Sequence, residues 1–178
     1  MRRGEGLTAR SGTRAEVASG IVHGMTYRIT GLYPTHFAPL FELSDDVLAR
    51  RSIVRMAVTT CPGSPCRVSL DDVGVGGTVL LLNHRSIPAG PYAETHAIFV
   101  SHGAVQGEFE DEISPALERR LLSLRAFDGA EMMIDAAMAA PGDADAMILR
   151  LFENEAVEYI HAHNATRGCF AAAVERAA

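Results

Sequence analysis

The 178-residue chain contains no lysine, and all 16 of its basic residues are arginines. Lysine completes the phosphate-binding loop GxxxxGK[ST], forms Schiff bases with pyridoxal phosphate or carbonyl substrates, and activates serine in Ser–Lys pairs. The sequence therefore excludes these three kinds of chemistry. It also lacks the GxSxG turn of the α/β-hydrolases and the HExxH motif of many zinc proteases, so neither signature indicates a hydrolase.

Long hydrophobic runs are missing as well. No apolar segment approaches the roughly 20 residues of a membrane-spanning helix, and none follows Arg2 and Arg3 as it would in a signal peptide. With 48% hydrophobic and 21% charged residues, the composition is typical of a soluble globular protein, and the length suits one domain. We therefore expect a cytoplasmic protein that does not bind membranes, and nothing in the sequence indicates a homo-oligomer.

Cysteine is scarce, with Cys61, Cys66 and Cys169 as the three examples. An odd number of cysteines in a reducing compartment argues against a disulfide framework. Cys61 and Cys66 flank a loop with two prolines and a glycine, but no second cysteine pair completes the four ligands of a structural zinc site. We therefore expect structural thiols in this loop, and neither a metal nor a cofactor.

Charge is distributed unevenly along the chain. Residues 1–24 contain four arginines and two glutamates, a net charge of +2, whereas the rest contains 12 arginines and 20 acidic residues, a net charge of −8. The first segment is polar and rich in Gly, Ser and Thr, which predicts a disordered tail; Met25 offers an alternative natural start before a single globular domain over residues 25–178. The acidic body argues against nucleic-acid binding, which normally requires a basic face.

The order of the predicted elements indicates the fold class. Alternating or continuous apolar patterns predict strands over residues 26–30, 53–59, 78–83, 96–101, 121–127, 131–138, 156–163 and 169–174, a short extended piece over 67–70, and helices over 44–51, from 114 and over 143–154. Asp128-Gly129 is typical of a hairpin turn between two of these strands. Because strands and helices do not alternate regularly, we expect an α+β fold: a mixed, mainly antiparallel curved sheet of about seven strands with two or three helices packed outside.

The segment YIHAHNATRGC, residues 159–169, contains the densest set of chemically active side chains. Alternate residues of a strand share a face, so His161 and His163 point one way while Ile160 and Ala162 point into the core. The two imidazoles lie on a solvated polar face, in a ligand or catalytic site, or in a metal site. The spacing of neighbouring acids matches no common two-histidine metal motif, so we rank the metal site last.

Further candidates follow from the turn and from the neighbouring strands. Asn164 and Gly168 supply the turn, after which Cys169 returns beside His163, where an imidazole could activate the thiol. His161 and Cys169 are therefore the catalytic candidates. Cys169 is equally consistent with a buried structural thiol, since cysteine is among the most frequently buried residues.

Arginines within apolar strands point to a bound anion or a structural ion pair. Arg67 and Arg125 have such surroundings, CRVSL and LSLRAF, where a long cation must reach solvent, a carboxylate or an anion. With His96, His163 and Asn164 they form the predicted ligand-binding set.

The chain resembles a bacterial family known as domain of unknown function 1203. The pieces that carry the resemblance are YRITGL (27–32), PCRVSL (65–70), TVLLLN (78–83), PYAETHAIFV (91–100), LLSLRAFD (121–128) and YIHAHNATRGCF (159–170). The resemblance covers residues 26–176 and implies a single compact α+β domain in a bacterium. It implies no activity, cofactor or partner.

Two functional hypotheses remain open. The first is a binding protein or enzyme for a small anionic metabolite, with a pocket formed by the arginines and histidines named above. The second is a non-catalytic protein-interaction module that uses an exposed sheet edge or the acidic segment 107–112. The two hypotheses differ in whether the predicted site residues converge in one place.

Overall fold

The computed structural model describes residues 26–177, so the predicted tail over residues 1–24 lies outside the described part of the chain. Within the described part, nine strands and four α-helices form the fold. In chain order they are β1 (Tyr27–Thr30), α1 (Ala38–Phe41), α2 (Asp45–Arg50), β2 (Val54–Ala57), β3 (Thr78–Ile87), β4 (Glu94–Ser101), β5 (Glu108–Glu110), α3 (Pro115–Glu118), β6 (Leu122–Phe127), β7 (Met133–Ala139), α4 (Ala144–Phe152), β8 (Tyr159–Asn164) and β9 (Phe170–Arg176).

The strands form two antiparallel sheets. The larger sheet has the order β5-β1-β9-β8-β6-β7, and the smaller one has the order β2-β3-β4. The large sheet packs one face against α4, whose buried residues Ile148, Leu151 and Phe152 recur at helical spacing. The small sheet has its own core with α1 and α2, in which Leu48 and Leu80 are fully buried.

The segment after Cys66 connects the two sheets. Cys66 forms a parallel bridge with Phe99 of β4, and the Arg67 N–H donates to the Phe99 carbonyl over 2.9 Å. On its other side, the chain passes so close to Gly31 that a Cβ there would lie 1.9 Å from the Val68 carbonyl oxygen. Only glycine leaves room for this approach, which places Arg67 between the sheets.

Most predicted elements are confirmed, and the fold class is confirmed as α+β. The helix after Ser44, the hairpin at Asp128-Gly129 and the strand–turn–strand after Tyr159 all form. The mainly antiparallel arrangement is confirmed, with nine strands in two open sheets and four α-helices where about seven strands and two or three helices were predicted. The extended piece predicted over 67–70 is a turn, and β5 was missed because three residues are too short for a recognisable alternation.

None of the helices in residues 26–177 is long and apolar enough to cross a membrane. The three cysteines are free thiols, of which Cys61 is exposed and Cys66 is buried.

Candidate functional site

The two histidines of β8 point away from the large core, as the alternation predicted. Ile160 and Ala162 lie fully within that core. His161 and His163 are not solvated, however: 6% of His161 and none of His163 is exposed. Of the three alternatives, the solvated polar face was therefore wrong, because the β3–β4 hairpin of the small sheet covers this side of β8.

The covered face forms a layer of aromatic and imidazole rings between the sheets. His84 and His96 are cross-strand neighbours on β3 and β4. The His96 and His163 ring centroids lie 5.0 Å apart, and His84 lies 5.6 Å from the ring of Phe170. Phe170 is opposite His163 because a register shift in the β8–β9 pair skips one residue there. The histidines of three strands therefore meet in one buried place.

Glu94 brings a carboxylate into this layer. Its Oε1 atom lies 3.2 Å from His96 Nε2 and 3.3 Å from His163 Nε2. Arg125, which faces the same side from β6, donates from its NH1 group to Glu94 Oε2 over 2.8 Å. The Nδ1 atom of His163 lies 3.2 Å from the Gly168 carbonyl oxygen. Because a carbonyl oxygen can only accept, His163 carries a proton on Nδ1.

The charges of this layer follow from burial and from its neighbours. Burial lowers the pKa of His161 to about 4, and the adjacent His163 adds to the effect. Burial and the Arg125 cation likewise lower the pKa of His163 to about 4. Burial raises the pKa of Glu94, but His96, His163 and Arg125 outweigh it and lower the pKa below its ordinary value. At neutral pH, His161 and His163 are therefore neutral and Glu94 is ionised.

Arg67 is a buried cation between the sheets, and 3% of it is exposed. Its Nε group donates to the Phe170 carbonyl over 2.8 Å, its NH1 group donates to the Pro65 carbonyl, and its NH2 group donates to Cys169 Sγ over 3.2 Å. No carboxylate of residues 26–177 pairs with it, in contrast to Arg119, Arg120 and the other ion-paired arginines of the chain.

A cleft of about 740 Å³ opens beside Arg67. Four of the predicted site residues line it: Arg67, His96, Asn164 and Cys169. Three further arginines complete its polar wall, namely Arg119, Arg120 and Arg167. Among the described residues, the lining of this cleft includes no acidic side chain.

The remaining site candidates lie beside the cleft. His161 and His163 are in the buried ring layer, and Arg125 lines a separate pocket of about 210 Å³ with Glu94 and Tyr92. His96 joins the two regions, because it lines the cleft and also contacts Glu94.

Cys169 has a different environment from the predicted thiol–imidazole pair. Its Sγ atom accepts hydrogen bonds from the Arg67 guanidinium over 3.2 Å and from the Asn164 amide over 3.3 Å. Within residues 26–177, no histidine hydrogen-bonds to it. An arginine and an asparagine therefore contact this thiol in place of the predicted imidazole.

Sequence reasoning missed four residues of these sites. Glu94 was detectable, since it lies two residues before His96 and therefore on the same strand face. Arg119 and Arg120 were not, because their position depends on Asp72, which accepts hydrogen bonds from both. Arg167 was overlooked as an ordinary turn residue.

The family described as "Protein of unknown function (DUF1203)" matches residues 63–176, more than half of the chain. The piece YRITGL at residues 27–32 lies outside this match. No curated protein and no solved structure matches the chain.

Proposed function

The chain belongs to the DUF1203 family, and we propose that it binds a small molecule with a carboxylate or phosphate group in the cleft beside Arg67. The family description names no activity, so the proposal depends on the charge, burial and shape of the cleft alone.

The observation that carries the proposal is the burial of Arg67 without a counter-ion among residues 26–177. A buried charge is costly unless it is paired and hydrogen-bonded. Arg67 uses three of its five N–H groups on two carbonyls and a sulfur, none of which is a carboxylate. A bound anion in the cleft would supply the missing negative charge and accept from the remaining donors.

The other arginines add to the positive character of the cleft. Arg119 and Arg120 are partly neutralised by Asp71 and Asp72. Arg167 is exposed at the rim and forms no ion pair within the described chain. In a protein whose residues 25–178 carry a net charge of −8, such a concave positive surface concentrates small anions and repels acidic macromolecules.

The size and the apolar wall of the cleft indicate a metabolite rather than a bare ion. Its volume of about 740 Å³ falls in the usual range of ligand pockets, roughly 300–1,000 Å³. Leu81, Phe99 and Leu121 line it beside the arginines. The proposed ligand therefore has one anionic group and a small apolar part.

A second candidate is catalysis by Cys169 in the same cleft. The thiol lines the cleft in which the anion would bind, and its Sγ atom accepts hydrogen bonds from Arg67 and Asn164. Under this proposal Arg67 and Asn164 position the thiol, and Cys169 Sγ adds to a carbonyl carbon of the bound anion; the C–S bond forms as the C=O π bond breaks, and the thiol proton passes to the carbonyl oxygen.

Thermal unfolding in inorganic phosphate tests the binding proposal. At about 100 times the dissociation constant, phosphate adds about 2.7 kcal/mol of stability, which raises the Tm by about 5–10 °C above that in chloride of equal ionic strength. Arg167→Ala should reduce this difference, and Arg28→Ala, which removes an exposed arginine paired with Glu110, should leave it unchanged. Equal Tm values in phosphate and chloride would overturn the proposal.

A further inference from the structure

The ring layer beside the cleft contains three side-chain atoms, from Glu94, His96 and His163, that converge on one another. Glu94 Oε1 lies 3.2 Å from His96 Nε2 and 3.3 Å from His163 Nε2, and all three atoms lie within 4.8 Å of one another. Neither imidazole nitrogen is solvent-accessible, and neither forms a hydrogen bond of acceptable geometry. Buried polar atoms normally have partners, so this cluster requires a physical explanation.

The Nδ1 hydrogen bond of His163 determines which nitrogen of its ring faces Glu94. Its donation to the Gly168 carbonyl occupies one ring nitrogen and leaves Nε2 as the nitrogen that faces the Glu94 carboxylate. Metal-ligating histidines very often have this arrangement, with the second ring nitrogen donating to a backbone carbonyl.

From these contacts we infer that Glu94, His96 and His163 form a binding site for one divalent transition-metal ion. Two imidazoles and one carboxylate are the ligands of catalytic zinc sites with an open position and of non-haem iron(II) sites. Ligands of a tetrahedral ion with bonds of about 2.0–2.1 Å lie about 3.3–3.4 Å apart, close to the separations seen here. The two separations between the carboxylate oxygen and the imidazole nitrogens therefore match those of a metal site.

The surroundings of the three ligands complete the site. Arg125 donates from NH1 to both oxygens of Glu94, over 2.8 Å to Oε2 and over 3.1 Å to Oε1, and orients the carboxylate toward the histidines, as an outer hydrogen bond to a metal ligand does. The positive charge of Arg125 alone would repel a metal ion and weaken its binding. The Glu94 carboxylate lies between the guanidinium and the metal position and offsets this repulsion. His161 and His84 are the other ionisable groups of the layer, and neither belongs to the group of converging ligand atoms.

The site does not depend on the anion proposal, because its three ligands are protein atoms. The two are adjacent, however, since His96 also lines the cleft. A metal ion with an open coordination position would add a second positive centre beside Arg67, and it would favour ligands that carry an oxygen anion.

Calorimetric titration of the chelator-treated full chain with zinc chloride tests the inference. We expect one zinc ion per chain, and with cobalt(II) a visible d–d absorption without a thiolate charge-transfer band, because no cysteine is a ligand. Either the absence of stoichiometric zinc binding or a thiolate band would overturn the inference. Neither result would bear on phosphate binding, which is measured in the metal-free protein.

Two partly exposed ligands allow substitutions that preserve the fold. Glu94→Gln and His96→Gln keep the shape of side chains that are 24% and 13% exposed, and each should weaken zinc binding by at least about tenfold. His84→Gln is the matched control, since His84 is the cross-strand neighbour of His96 but is not a ligand. Equal zinc affinities in the control and in both ligand variants would show that the metal binds elsewhere.

Discussion

His161 is the residue at which the structure changes the sequence-based interpretation most. The sequence left two outcomes open for its replacement by alanine: a loss within about 1 kcal/mol if the site is functional and open, or a loss of about 2 kcal/mol or more if the role is structural. The structure surrounds its ring with Phe127, Tyr159, His163 and Phe170, at centroid distances of 5.5, 5.1, 6.1 and 5.0 Å. It is 6% exposed, and its Nδ1 atom is buried without a hydrogen-bond partner.

These contacts predict different effects of His161→Ala and His161→Met on the stability of the fold. His161→Ala leaves a cavity among four rings, and large-to-small replacements of this kind cost about 2–4 kcal/mol. His161→Met retains most of the volume and removes an unsatisfied buried nitrogen, whose desolvation costs about 1–3 kcal/mol. We therefore expect the methionine variant to lie within about 1 kcal/mol of the wild type or to exceed it.

Urea denaturation of the two variants measures the difference directly. His36→Ala is the control, because His36 is exposed and its removal should change the free energy of unfolding by less than about 0.5 kcal/mol. A loss of under 1 kcal/mol in the free energy of unfolding of the alanine variant would contradict this buried packing and support an open functional site. A methionine variant as unstable as the alanine variant would show that the polar nitrogen, and not the ring volume, supports the fold.

Two further predictions concern the residues that position the cleft. Burial raises the pKa of Asp72, but hydrogen bonds from Arg120 and its neighbours outweigh burial and lower the pKa below its ordinary value of 3.8. The ionised carboxylate therefore stabilises the fold above pH 3.8, and this stabilisation is lost as the pH falls through the lowered pKa. Asp72→Asn should therefore cost about 2 kcal/mol at pH 7, and urea denaturation should show a smaller difference below pH 4. Gly31→Ala should prevent folding or lower the Tm by at least about 10 °C, because its Cβ would overlap the Val68 carbonyl, whereas Gly129→Ala, with open space, should not.

The sequence predicted the elements of this fold better than their arrangement. Periodicity identified the strands, since the face of each strand is set by the chain itself, as Ile160 and His161 show. The pairing of strands into two sheets depends on contacts between distant segments, such as Cys66 with Phe99, for which no local pattern exists. The covering of β8 by the β3–β4 hairpin likewise depends on contacts between distant segments. It buries a strand face that, judged from the sequence alone, could have been solvated.

The candidate site was predicted in its residue types rather than in its geometry. A polar residue in an apolar strand indicates an unusual environment, which led to Arg67 and His163. Which atoms meet was not predictable, because the Arg67–Cys169 contact joins residues 102 positions apart. Glu94 was missed although its spacing to His96 was readable, since a lone carboxylate near a strand start is ordinarily solvated.

Alkylation of Cys169 tests most directly whether the cleft attracts small anions. The ratio of its rate constants with iodoacetate and with the neutral iodoacetamide should exceed that of N-acetylcysteine by about tenfold, because the arginines raise the local concentration of the anionic reagent. Peptide mass spectrometry resolves Cys169 from the exposed Cys61. Inorganic phosphate and Arg167→Ala should each reduce the excess, and Arg28→Ala should not. A ratio at Cys169 equal to that of N-acetylcysteine, and unchanged by phosphate, would contradict the account.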